Sequence, residues 1–199
     1  DRSVSRGLGD VYKRQLPMLT RAELLGQIMR NYDTPVAISG THGKTTTTSM
    51  VSHILLAGDC DPTISVGGIL PAIGGNIRVG NSETFVTEAC EYTNSFLSFF
   101  PKISIILNMD ADHLDFFKDI DDIRHSFRRF AELLPADGTL IINADTPKYE
   151  DIIRDLPCNV ITYGLEHDAD YQAADITYDK YGHASFSVLR NGVKVGSYY

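Results

Sequence analysis

Short apolar runs and amphipathic stretches alternate along most of the chain. Runs typical of strands lie at 36–38, 63–66, 85–87, 103–107, 139–142 and 160–163, and helical patterns lie at 21–32, 45–57, from about 119 onward, and 149–156. Strands that alternate with helices at short spacing predict an α/β fold with a doubly wound, mostly parallel sheet. Ligands of such sheets bind beyond the carboxyl ends of the strands.

The two ends of the chain depart from this pattern. Residues 1–15 are polar, basic and without periodicity, and we interpret them as a foreign or disordered segment outside the fold. Beyond Asp170, polar and apolar residues alternate, and the pair Asn191-Gly192 is a strong hairpin signal. The pattern predicts an antiparallel appendage or the edge of the sheet.

A helix is also predicted ahead of the first strand. Thr20 and Glu23 have the spacing of a capping box at its start. The apolar positions of this helix are expected to form one buried face. They are Leu24, Leu25, Ile28 and Met29.

The segment 35–48, PVAISGTHGKTTTT, joins an apolar strand to a helix through a glycine turn. Gly40 and Gly43 allow the backbone N–H groups to converge on one point. Lys44 adds an ammonium there, and Thr45 offers a hydroxyl where a phosphate-bound Mg²⁺ needs an oxygen ligand. The general pattern has Gly where this chain has Ile38, but the core G-x-x-G-K-T-T is intact. The segment therefore predicts a binding loop for a nucleoside triphosphate.

Polar side chains follow two other predicted strands. Glu88 ends the run 85–87, and His113 lies in an acidic loop after 103–107. Thr45 and Glu88 together offer hard oxygen ligands for one Mg²⁺. On chemistry alone, His113 is as compatible with a hydrogen-bonding role as with a second metal ion.

The stretch 67–80 is rich in glycine. Such a stretch is typical either of a mobile loop or of a backbone that approaches a ligand closely, and the local pattern leaves both open.

Composition excludes some classes of function. A net charge of −8 and a pI of about 5.1 argue against broad nucleic-acid binding. The three cysteines contain no C-x-x-C pair, which argues against a zinc site or a disulfide framework. The sequence has no apolar run of membrane-spanning length, and we expect a cytoplasmic protein without a membrane partner.

Three ordered motifs, GTHGKTTTTSM, TEACEYTNSFL and LNMDADHLDFF, carry a resemblance to the ATP-binding central domain of the Mur ligases. The resemblance runs from about Leu16 to the end of the chain. It implies a P-loop type of α/β fold, ATP and Mg²⁺ as cofactors, and a role in peptidoglycan synthesis. In the implied reaction, ATP phosphorylates the lactyl carboxylate of UDP-N-acetylmuramate, and the amine of L-alanine attacks the acyl phosphate to form an amide.

The resemblance also implies roles for individual residues. Lys44, Glu88 and His113 would be catalytic: Lys44 would hold the β- and γ-phosphates, and Glu88 would share the first Mg²⁺ with Thr45. His113 would then hold a second Mg²⁺ near the carboxylate. The implied nucleotide contacts are Gly40, Thr41, His42, Gly43, Lys44, Thr45, Thr46 and Asn108, and the implied contacts to the muramoyl substrate are Gly67, Gly68 and Asn76.

Some members of the family carry a carbamylated lysine beyond the DH motif. This chain has Arg124, Arg128 and Arg129 in that region, so no carbamate is expected.

The family pattern extends beyond this chain at both ends. Residues 16–34 are interpreted as a helical lead-in from a missing N-terminal domain, and residues 35–199 as a central domain that is incomplete at its C-terminus. The chain is therefore expected to be a fragment that is inactive alone. Two other functions stay open: a recycling ligase that adds a tripeptide to the same sugar nucleotide, and a non-catalytic P-loop module.

Overall fold

The structure, a computed structural model, describes residues 18–199, so the prediction for residues 1–15 lies outside the described part of the chain. Within that part, ten strands form one sheet in the order β10-β9-β8-β7-β6-β5-β1-β4-β2-β3. The strands are β1 (Thr34–Ser39), β2 (Thr63–Leu70), β3 (Gly75–Arg78), β4 (Thr84–Glu88), β5 (Ile103–Ile106), β6 (Thr139–Asn143), β7 (Asn159–Gly164), β8 (Tyr171–Tyr178), β9 (Ala184–Arg190) and β10 (Val193–Tyr198).

The centre of the sheet is parallel and its two edges are antiparallel. Strand β1 lies between β4 and β5 and is parallel to both, and β2, β6, β7 and β8 continue in the same direction. β3 pairs antiparallel with β2, while β9 and β10 form the antiparallel end next to β8. The predicted doubly wound sheet is confirmed, and the C-terminal strands extend the same sheet as its edge.

Four α-helices are described, α1 (Arg21–Met29), α2 (Lys44–Ala57), α3 (Ile120–Ala131) and α4 (Tyr149–Ile153), together with 3₁₀ turns at Pro71–Ile73 and Tyr92–Ser98. Helix α3 buries one aliphatic and two aromatic side chains, Ile123, Phe127 and Phe130, in the larger core cluster. On the other face of the sheet, Val36, Ile38 and Val86 form a smaller cluster. Burial on both faces explains the continuous apolar runs of the central strands.

The predicted buried face of α1 is only partly right. Met29 is fully buried, and the helix has the predicted capping box, in which Thr20 and Glu23 bond each other's backbone N–H groups. Leu24 and Ile28, however, are exposed. The buried face runs instead through Gly26, because the helix lies directly against the backbone of the 92–98 segment.

Gly26→Ala is expected to destabilise the protein by about 2–3 kcal/mol, because a Cβ at Gly26 would lie 2.0 Å from the carbonyl oxygen of Ser98. Because the contact is with a backbone atom, no flexible side chain can move away to relieve it. Thermal unfolding should show a melting temperature lower by roughly 5–10 °C. Gln27→Ala, on the exposed side of the same helix, is the control and should leave the melting temperature within about 1 °C. An unchanged melting temperature in Gly26→Ala would contradict this close packing.

The glycine-rich stretch 67–80 is more regular than its composition indicates. Strand β2 continues through Gly67 and Gly68 to Leu70, and β3 returns antiparallel beside it after the 3₁₀ turn. Of these glycines, Gly74 has a left-handed backbone (φ 67°) at the turn. The stretch is therefore largely a hairpin at the edge of the sheet.

Asp145, which follows β6, binds the segment that follows β7. Its carboxylate accepts the backbone N–H groups of Leu165 (2.6 Å), Glu166 (3.1 Å) and His167 (2.9 Å) and contacts the His167 ring. Burial alone would raise the pKa of Asp145, but these donors lower it to about 2 from an ordinary value of 3.8. The stability that this contact contributes is therefore present above about pH 4 and is lost as the pH falls toward 2.

Asp145→Asn tests this contribution. At pH 7 the variant should unfold at a lower temperature than the wild type, because a neutral amide is a weaker acceptor for these N–H groups. The difference between the two melting temperatures should shrink as the pH falls from 4 to 2. A difference that stays constant over this range would contradict the lowered pKa.

Candidate active site

The loop between β1 and α2 has the backbone of an anion-binding turn. Gly40 (φ 148°) and Gly43 (φ 83°) both adopt conformations that favour glycine, and a Cβ at Gly40 would lie 2.9 Å from Leu107 Cβ. Helix α2 begins at Lys44, one residue before the predicted start. Within residues 18–199, the N–H groups of residues 43–46 have no protein acceptor, and the N-terminus of the helix therefore presents free donors to an anion.

The loop after β5 fixes the shape of this turn. The Asn108 side-chain amide accepts the N–H of His42 (2.8 Å) and donates to its carbonyl (3.0 Å). The hydroxyl of Thr41, which is buried, accepts the backbone N–H of Asp110 (2.9 Å). Asn108 thus lies beside the loop, with both groups of its amide bound to the loop backbone, and its contact with a nucleotide stays a prediction.

Lys44 is held by a residue that the sequence reasoning did not select. Its Nζ donates to the carbonyl oxygens of Gly40 (2.6 Å) and Thr41 (3.2 Å) and lies 2.9 and 3.1 Å from the two carboxylate oxygens of Glu91. Glu91 is 2% exposed. The signal that could have selected it is its position three residues after Glu88, within the second family motif.

Thr45 and Glu88 meet as predicted. The Thr45 hydroxyl donates to Glu88 Oε2 (3.1 Å), and the N–H of Gly67 donates to Glu88 Oε1 (2.6 Å). Thr45 comes from the start of α2 and Glu88 from the end of β4, the strand next to β1, so the parallel register brings them to one edge. A hydroxyl and a carboxylate at this distance fit a Mg²⁺ that also keeps water and phosphate ligands.

His113 lies on the other side of Glu91. Its Nε2 is 3.8 Å from Glu91 Oε1, and its ring is tilted by 36° against the ring of Tyr92, with the ring centroids 4.6 Å apart. The Tyr92 hydroxyl donates to Asp115 (2.8 Å), and this bond raises the pKa of Tyr92. His113 has a left-handed backbone (φ 51°), which is uncommon for a residue other than glycine. The ring therefore faces Glu91 and Tyr92.

The remaining predicted residues lie at different distances from this centre. A Cβ at Gly68 would lie 3.4 Å from Thr45 Cγ2, so Gly67 and Gly68 are both close to the site. Asn76 is exposed on the edge strand β3, and no hydrogen bond joins it to the loop or to Glu88. Among the described residues, no three His, Cys, Asp or Glu side chains form a cluster that could hold a metal ion by themselves.

A cleft of about 550 Å³ opens beside Glu88, between the start of α1 and the 92–98 segment. Its lining includes Arg21, Cys90, Thr93 and Asn94 as well as Glu88. A volume of this size is typical of small-molecule sites. Glu88 thus lines a space large enough for a second molecule.

Gly67→Ala is expected to displace the Glu88 carboxylate, since a Cβ at this position would lie 2.7 Å from Glu88 Oε2. The side chain can rotate away, so we expect stability to change little, whereas any Mg²⁺-dependent activity should fall about tenfold. Gly75→Ala, with no atom within 4 Å of its added Cβ, is the control. Full activity in Gly67→Ala would contradict a role for the present position of Glu88.

The comparisons with known proteins agree with this geometry. The family model described as Mur ligase middle domain matches residues 38–196. The chain is 65% identical over 180 residues to UDP-N-acetylmuramate–L-alanine ligase of Lachnospira eligens, with 90% of this chain and 39% of the relative covered. It is 54% identical over 183 residues to the protein of the same name from Caldanaerobacter subterraneus subsp. tengcongensis, with 92% and 40% covered. The chain thus spans about two fifths of the length of these relatives.

Solved structures show the same fold. The UDP-N-acetylmuramate:L-alanyl-gamma-D-glutamyl-meso-diaminopimelate ligase of Neisseria meningitides is similar with a TM-score of 0.82 at 25% identity, over 96% of this chain and 62% of that one. The UDP-N-acetylmuramate–alanine ligase of Thermotoga maritima has a TM-score of 0.79 at 24% identity, over 96% and 42%. No helix within residues 18–199 has the length and hydrophobicity to cross a membrane. With the matched motifs placed around one loop, the chain belongs to the Mur ligase family and contains its middle domain.

Proposed function

We propose that the complete protein is an ATP-dependent ligase that joins L-alanine to UDP-N-acetylmuramate in peptidoglycan precursor synthesis. The support is the name shared by the relatives that are 65% and 54% identical to this chain. Because ATP and UDP-activated sugars are metabolites of the cytoplasm, we propose that the protein works there. The regions that such relatives have beyond the matched part would supply the remaining substrate contacts, with residues 16–34 leading into the middle domain.

The observation that carries this proposal is the contact between Thr45 and Glu88 beside Lys44. A triphosphate in the loop would receive the free N–H groups at the start of α2 and the ammonium of Lys44. Thr45 and Glu88 would be the residues that hold the Mg²⁺. Positioning and charge neutralisation account for most of the catalysis of phosphoryl transfer, and these residues supply both.

The donor set fits Mg²⁺, which prefers hard oxygen ligands and keeps several waters. When bound, the ion neutralises charge on the phosphate oxygens. The role of ligand to a second Mg²⁺ stays a prediction for His113, whose ring contacts Glu91 and Tyr92.

The sugar substrate would enter from the cleft beside Glu88. This cleft lies next to the site where Gly67 and Gly68 approach Glu88 and Thr45, so a carboxylate bound there would be close to the transferred phosphate. The acyl phosphate formed in this way would be attacked by the amine of L-alanine, and phosphate would be released as the amide bond forms. The chain's own task is to hold the two reacting groups together and exclude other orientations.

Phosphate release by the complete protein tests the proposal. We expect release from ATP to require UDP-N-acetylmuramate and L-alanine together, and mass spectrometry to show the amide product. The similarity to the Neisseria ligase favours one second candidate, in which the amine comes from a tripeptide. Turnover with L-alanyl-γ-D-glutamyl-meso-diaminopimelate and none with L-alanine would establish that candidate instead. Binding of ATP without hydrolysis under either condition would show a nucleotide-binding module and refute both ligases.

A further inference from the structure

Glu91 is a buried carboxylate whose charge is balanced by the phosphate-loop lysine. It is 2% exposed, and both of its oxygens are within 3.1 Å of Lys44 Nζ. Among the described residues, no backbone N–H donates to it, and the nearest other side-chain nitrogen that could pair with it is His113 Nε2 at 3.8 Å. Because a buried charge without a partner is costly, Glu91 depends on its pairing with Lys44.

The hydrogen-bonding capacity of Lys44 is fully used by these contacts. An ammonium has three N–H donors, and Nζ already has four oxygen atoms within 3.2 Å, from Gly40, Thr41 and Glu91. A phosphate group therefore has to displace at least one of these acceptors. Glu91 is the acceptor that carries a negative charge, and it would also repel the phosphate.

From this arrangement we propose that Glu91 is a built-in competitor of the triphosphate: it holds Lys44 through the same ammonium that would bind a phosphate and thereby lowers the affinity for nucleotide. Glu91 acts through Lys44 and is a positioning residue. The inference rests on the proposed function, because it assumes that the loop binds a nucleotide. The two loop carbonyls keep Lys44 in place when the carboxylate is neutralised, so removing the charge favours the phosphate.

The test is the affinity of the complete protein for ADP with Mg²⁺, measured by calorimetry. Glu91→Gln keeps the size and one acceptor of the side chain, and we expect its Kd to fall about tenfold below that of the wild type. Glu132→Gln is the matched control. Glu132 caps the C-terminus of α3 and forms an exposed ion pair with Arg128 of that helix, so the substitution removes one charge and one ion pair. Its Kd should be unchanged. In turnover, the KM for ATP should fall in Glu91→Gln, whereas a merely structural residue would raise it.

A thermal-unfolding cycle without nucleotide gives an independent measurement. Lys44→Met leaves Glu91 buried without its partner and is expected to lower the melting temperature by about 8 °C. In Lys44→Met/Glu91→Gln, at least half of this loss should be recovered. A double variant no more stable than Lys44→Met would overturn the pairing.

The outcomes separate the two proposals. If the wild type binds ADP with Mg²⁺ and Lys44→Met does not, but Glu91→Gln has an equal or higher Kd, the competitor role is refuted and the proposed function stands. If the wild type does not bind this nucleotide, the proposed function fails and the competitor role fails with it.

Discussion

Lys44→Met in the complete protein is expected to lower kcat/KM for ATP by about 10³-fold. Its ammonium is the cation next to the free N–H groups at the start of α2, and it lies within reach of any phosphate in the loop. Initial rates of phosphate release, with UDP-N-acetylmuramate and L-alanine in excess, give the measurement. The assays should be run at a temperature at which circular dichroism shows that the variant is folded, because loss of the ion pair between Lys44 and Glu91 also lowers stability.

Two variants make this result specific. Lys102 directly precedes β5 and pairs with Asp137, so it lies at the opposite end of the parallel strands from the phosphate loop. Lys102→Met removes this ammonium and should keep normal kinetics. Lys44→Met/Glu91→Gln should regain stability but no activity. Activity within tenfold of the wild type in either variant of Lys44 would refute the role of this lysine in phosphate binding.

Glu88→Gln is expected to raise the Mg²⁺ concentration for half-maximal turnover at least about tenfold and to lower kcat about 10²-fold. The amide keeps an acceptor for the N–H of Gly67, so the fold should be retained while the anionic ligand is lost. A titration of the initial rate with Mg²⁺ at saturating ATP provides the measurement.

Glu83→Gln is the matched control for this experiment. Glu83 is exposed and directly precedes β4, so it lies at the other end of the strand that ends in Glu88. Its Mg²⁺ titration should overlay that of the wild type. A Glu88→Gln titration that also overlays the wild type would contradict a metal-binding role for Glu88.

Local spacing made the phosphate loop predictable, because its function depends on neighbours in sequence. Gly40, Gly43 and Lys44 lie within five residues, and the strand before them and the helix after them follow from short-range patterns. Glu88 could be placed at the same edge because the carboxyl ends of adjacent parallel strands meet there.

Features set by long-range packing could not be predicted in this way. A glutamate in a polar segment is ordinarily exposed, and the burial of Glu91 depends on contacts that the chain makes only after folding. The exposure of Leu24 and Ile28 has the same origin, since the neighbour of α1 determines which face is covered. Glycine content alone also does not distinguish a loop from the edge hairpin formed by β2 and β3.

The side-chain amide of Asn108 accepts the N–H of His42 and donates to the carbonyl of His42. These two hydrogen bonds link the phosphate loop to the 108–115 loop. A displacement of either loop must be shared by the other unless these two hydrogen bonds break. A ligand that binds to the 108–115 loop, which carries His113, would therefore change the affinity of the phosphate loop for its own ligand. Thermodynamic linkage requires this influence to be equal in both directions.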